Sequence, residues 1–106
     1  MSYRYMRVMI MFDLPVSSAA ERREYAHFRK LLIKNGFIMM QESIYTKLVQ
    51  NESAARWAVD TVRKNKPKDG LIQALVVTEK QFAKIEYILG DASSEVLTSD
   101  ERIVFL

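Results

Sequence analysis

One carboxylate in this chain stands where chemistry would be expected. Asp13 closes the stretch Met6–Pro15, M-R-V-M-I-M-F-D-L-P, in which six of the first seven residues are apolar. An apolar run of this length reads as a strand buried on both faces, and a polar group at the end of such a strand sits where mixed α/β domains carry function. The plainer alternative is a turn aspartate bonding its own backbone ahead of Leu14-Pro15. A lone carboxylate holds Mg²⁺ poorly, because that ion takes an octahedron of oxygens. A twofold axis beside the strand end would change this. Two Asp13 side chains brought together would repel unless a shared Mg²⁺ (or Mn²⁺) neutralised them, and such an ion supports phosphodiester hydrolysis.

Other chemistries find little support. The chain has no cysteine and a single histidine, His27, and it contains no G-x-x-x-x-G-K-[ST], G-x-G-x-x-G or H-E-x-x-H motif. Ser18 and Ser43 have no histidine within obvious reach, so a serine nucleophile is not indicated. The lack of cysteine fits a reducing compartment. No apolar run approaches the roughly 20 residues of a membrane span, and M-S-Y-R-Y does not read as a signal peptide. These features point to the cytoplasm.

The second set of candidates is basic. The net charge is +3, but residues 1–90 carry 15 Lys/Arg against nine Asp/Glu, while 91–106 carry one Arg against four acids. A basic body suits a polyanionic partner. Arg23, His27, Lys30 and Lys34 fall within about 60° of one another on a helix, as either a solvated face or a phosphate-binding stripe. Lys64, Lys66 and Lys68 cluster around the turn N-K-P-K-D-G.

The elements that must position these residues follow from caps and periodicity. Met6–Asp13 is a strand. Ser18 opens a helix through the box S-A-A-E; it runs to about Asn35, where Gly36 supplies the left-handed stop, and it turns Tyr25, Phe28, Leu31 and Leu32 inward. Phe37–Gln41 and Ile44–Val49 form a hairpin around Glu42-Ser43. Asn51 caps a second helix that buries Ala54, Ala55, Ala58 and Val62 and ends by Asn65. Trp57 lies on its flank, either at the rim of the core or in an interface. Leu71–Thr78 is a strand, Thr78–Gln81 caps a short helix to about Lys84, and Ile85–Leu89 reads as a further strand. Residues 91–106 read as a loose acidic connection ending in the apolar strand Ile103–Leu106, beyond a folded domain of 1–90.

The order β-α-β-β-α-β is that of the α+β ferredoxin-like fold, with both helices on one sheet face. The opposite face is assigned Met6, Met9, Met11, Met39, Met40, Ile72 and Leu75. It is too apolar to leave in water, and a second copy of the chain is the simplest cover.

Four pieces of the sequence resemble the CRISPR-associated Cas2 family: F-D-L-P (Phe12–Pro15), R-x-x-x-H-F-R-K-L-L (Arg23–Leu32), Q-E-S-I-Y (Gln41–Tyr45) and T-E-K-Q-F (Thr78–Phe82). The likeness spans the chain in order, and both ends look most like members from type II systems. The resemblance implies a homodimer that acts in acquiring new spacers. It bridges dimers of the Cas1 integrase and presents basic residues to duplex DNA. It also implies, for some relatives, metal-dependent endonuclease activity on RNA or DNA with the strand-end aspartate, here Asp13, as metal ligand and catalytic residue. Under this reading Arg23, His27, Lys30, Lys34, Lys64, Lys66 and Lys68 contact nucleic acid. The tail residues Ile103, Val104, Phe105 and Leu106 contact the integrase. A toxin-like Mg²⁺-dependent ribonuclease and an RNA-binding ferredoxin-like module are the alternatives.

Overall fold

A computed structural model of the chain describes residues 5–91. In order it holds β1 (Met6–Asp13), α1 (Ala19–Lys34), β2 (Ile38–Gln41), β3 (Ile44–Val49), α2 (Glu52–Lys64), β4 (Leu71–Thr78) and α3 (Glu79–Phe82). The strands form one antiparallel sheet in the order β2-β3-β1-β4. β1 and β3 are therefore central, and the arrangement is the ferredoxin-like α+β fold.

The helices start where their caps require. The Ser18 hydroxyl accepts from the Glu21 amide at 3.0 Å, while the Glu21 carboxylate accepts from the amides of Ser17 and Ser18 at 2.8 and 3.0 Å. The Asn51 side chain accepts from the Ala54 amide at 2.8 Å. Thr78 and Gln81 form the second reciprocal box. Gly36, at φ 88, turns the chain out of α1 into β2.

The core lies between the helices and one sheet face. Val8, Ile10 and Phe12 of β1, with Tyr45 and Val49 of β3, meet Phe28 and Leu32 of α1 and Ala55, Ala58 and Val62 of α2. Small residues on α2 let its backbone approach the sheet closely. Phe12 packs edge-on against Phe28 at 5.2 Å between ring centroids and lies 5.7 Å from Tyr45. The Tyr45 ring is fully buried, and its hydroxyl accepts from Arg29 Nε at 2.8 Å. This contact raises the Arg29 pKa and ties α1 to β3.

Several expectations need correction. β1 is not buried on both faces: Val8, Ile10 and Phe12 are buried, while Arg7, Met9 and Met11 are only half-buried, because no layer of the described residues covers the far face. Strand alternation also moves Met6, Met39 and Ile72 to the helix side, where they pack on the core. Trp57 is not at the core rim, being 70% exposed.

The apolar run Ile85–Leu89 forms no strand. Past α3 the chain turns through bonds from the amides of Lys84 and Ile85 to the carbonyls of Gln81 and Phe82. Tyr87, Leu89 and Asp91 then line a hollow with Met40, Gln41 and Glu42 without joining a ladder. A strand has no backbone partners without such pairing. The expected tail beyond Asp91, Ile103–Leu106 included, lies outside the described residues.

Candidate functional site

β1 delivers Asp13 to the open side of the sheet. Alternation places Arg7, Met9, Met11 and Asp13 opposite Val8, Ile10 and Phe12. Across the strands, Ile38, Thr46, Met9 and Leu75 form one row on this face, and Leu48, Arg7 and Val77 form another. Ile38 is 60% exposed and Leu75 48% exposed, although both are large and apolar. The Asp13 carboxylate is exposed at the rim of this surface. Among the described residues it has no hydrogen-bond or ion-pair partner, so it does not act as a turn aspartate bonding its own backbone. No group of three or more His, Cys, Asp or Glu is gathered for a metal among the described residues. Asp13 thus stands outside any such group, and a single carboxylate fits a divalent ion poorly.

The position of Asp13 is set from two sides. The Phe12 amide donates to the Ser43 carbonyl at 3.1 Å, fastening the strand end to the β2–β3 turn. Gly70 packs against the other side. At φ +113 it holds a conformation that side chains disfavour, and a Cβ there would lie 2.6 Å from Leu14 Cδ2 and 3.0 Å from the Asp13 carbonyl oxygen. The sequence marks Gly70 as a turn residue but not as this contact. Replacing Gly70 by Ala is expected to cost about 1–3 kcal/mol through backbone strain and crowding. Urea unfolding measures this, and an unchanged midpoint would show that the approach is not constrained.

A further device on the open side escaped sequence reading. Arg7 donates from Nε and Nη2 to the two carboxylate oxygens of Glu79 at 2.8 and 2.7 Å, and its guanidinium lies 4.3 Å from the centroid of the Phe82 ring. This fork is the strong geometry for an arginine–carboxylate pair. It docks α3 on β1 and gives T-E-K-Q-F a structural role.

The basic candidates lie elsewhere. Arg23, His27, Lys30 and Lys34 are all exposed on α1, in the helical layer on the side of the sheet away from Asp13. Among the described residues none of the four has a hydrogen-bond or ion-pair partner. Arg22 is different, since it donates to the carbonyls of Val16 and Ser17 and so serves the loop. Lys66 and Lys68, around the turn after α2, line different hollows. Lys68 lines a hollow of about 190 Å³ with Leu14, Pro15, Glu24 and Asp69 near the end of β1. Lys66 edges a groove formed by Val59, Val62, Ile72 and Ala74. Within one chain the carboxylate and the cation stripe thus occupy opposite sides of the sheet.

These features define a ferredoxin-like α+β domain with an acidic strand end on one side and a basic helix surface on the other. The chain matches the family model described as CRISPR associated protein Cas2 over residues 6–85, and it belongs to that family. It is 52% identical over 101 residues to a CRISPR-associated endoribonuclease Cas2 of Treponema denticola, covering 95% of this chain and 100% of the relative. It is 46% identical over 101 residues to one of Streptococcus mutans, covering 95% and 93%. A third, from Ligilactobacillus salivarius, is 43% identical over 101 residues, covering 95% and 100%. No helix among the described residues is long and apolar enough to cross a membrane.

Proposed function

We propose that the protein is a dimeric scaffold of CRISPR adaptation that holds duplex DNA through phosphate contacts and bridges dimers of the Cas1 integrase. The observation that carries this reading is the row of unpaired, exposed cations Arg23, His27, Lys30 and Lys34 along α1. Cations with no internal partner are free to displace counterions from a nucleic-acid backbone, which gives affinity without sequence reading. Family membership supplies the biological setting. The tail, with Ile103–Leu106, is assigned to the integrase on the family resemblance.

The dimer follows from the open face. Met9, Met11, Ile38, Leu48, Leu71 and Leu75 make it apolar across all four strands, and monomers seldom leave so continuous a patch in water. A second copy laid face to face is expected to bury at least the area of a standard stable interface, about 1,600 Å² in total. The protein is expected to sediment as a dimer at micromolar concentration, and Met9→Glu with Leu75→Glu to sediment as a monomer. A wild-type monomer would remove the scaffold.

A second reading, cleavage of RNA or DNA, is favoured by the endoribonuclease names of the relatives and by the free carboxylate at Asp13. The dimer would then hold one Mg²⁺ (or Mn²⁺) between its two Asp13 side chains. When bound, the ion supplies Lewis-acid polarisation of a phosphodiester and a more acidic water. Asp13 provides the negative charge that retains it, and Gly70 and the Ser43 contact orient the strand end. Cleavage and DNA holding use different sides of the sheet, so each can be abolished without the other.

A further inference from the structure

Trp57 is the only tryptophan in the chain. It stands 70% exposed on α2, although tryptophan is highly buried on average. Its ring does no visible work in the fold. The buried side of α2 is made by Ala55, Ala58 and Val62. Among the described residues the Trp57 indole has no hydrogen-bond or ring partner, and the one side chain bonded to the residue, the Thr61 hydroxyl at 3.1 Å, uses its backbone carbonyl.

The surroundings of the ring indicate what it meets. With 100° and 1.5 Å per residue, Lys64 projects within about 20° of Trp57 and about 10 Å further along the helix. Ser53, Asp60 and Thr61 share that side. Arg56 and Arg63 both lie to one side of it, about 100–120° round the helix by the same geometry. Asp60 is ion-paired with Arg63, so the acid nearest the ring is neutralised. Lys64 has no partner among the described residues, and Arg56 makes only a long contact of 3.5 Å to the Ser53 hydroxyl. The fully buried core of a protein interface is more apolar than the surface around it. Here one ring stands alone among polar and cationic groups. That combination suits a polyanion whose units present exposed π-faces, which is single-stranded nucleic acid. A duplex has its bases stacked on each other and offers no free face.

We infer that Trp57 is a stacking platform for a base of a single-stranded segment, with Lys64 and Arg56 taking the flanking phosphates. The inference rests on the reading that nucleic acid is the ligand, and it adds a strand-selective contact on α2 to the duplex contacts on α1.

Because Trp57 is the sole tryptophan, its emission reports directly on the site. Titrating the full chain with an oligothymidylate is expected to quench that emission saturably, whereas a blunt duplex binds without comparable quenching. Trp57→Ala should weaken oligothymidylate binding at least about fivefold, leave duplex binding unchanged and leave the thermal midpoint in place. Trp57→Phe should restore most of the affinity. Oligothymidylate binding with unchanged emission, or an alanine variant weakened equally for both ligands, would overturn the assignment while leaving duplex holding intact. So would emission that responds to a partner protein but not to the oligonucleotide. A protein that binds neither nucleic acid would overturn the assignment and the reading beneath it.

Discussion

Purified Asp13→Asn protein is expected to fold and dimerise normally and to lose Mg²⁺-dependent phosphodiester cleavage by about a hundredfold or more. Asparagine keeps the size and turn tolerance of aspartate, and the carboxylate makes no internal contact among the described residues that the change would break. A neutral amide does not retain a divalent ion between two chains, so calorimetric Mn²⁺ binding should fall together with cleavage. Undiminished Mg²⁺-dependent cleavage by this variant would place the metal elsewhere. The relatives' endoribonuclease names would then describe a different site, or an activity this chain does not share.

The second large effect is on DNA. Replacing Arg23, Lys30 and Lys34 together by Ala is expected to lower duplex affinity roughly a thousandfold at 50 mM salt, where each phosphate contact contributes about one log unit. The salt dependence should flatten by about three units of slope, one for each cation removed. Folding should be unaffected, because all three side chains are exposed and unpaired. Filter binding across a salt series measures both quantities. A slope equal to that of the wild type would move the DNA to another surface, for instance the one that carries Lys64, Lys66 or Lys68.

Much of this was legible in the sequence because it is local. The S-A-A-E and T-E-K-Q boxes set the starts of α1 and α3 within four residues, and Gly36 marks the stop of α1. The inward arc of Tyr25, Phe28, Leu31 and Leu32 follows from helical spacing alone. Asp13 stood out because a carboxylate after an apolar strand is a local anomaly.

The misreadings come from contacts that spacing does not encode. Met6 and Met9 look alike in a continuous apolar run, and only strand register assigns them to opposite faces. Arg7 and Glu79 are 72 positions apart, and nothing in either neighbourhood announces the other. Ile85–Leu89 has strand composition, but a strand also needs a ladder. Gly70 was visible as a turn, yet its close approach to the Asp13 carbonyl exists only once β4 lies beside β1.

With Asp13 and the α1 cations on opposite sides of the sheet, the proposed holding of DNA does not need the carboxylate. The most direct test is spacer acquisition in cells whose only copy of the protein is Asp13→Asn, read as expansion of the CRISPR array. Acquisition is expected to continue at the wild-type rate. Its failure, with the dimer, duplex binding and integrase association all intact, would contradict the scaffold account and make the carboxylate part of the biological reaction.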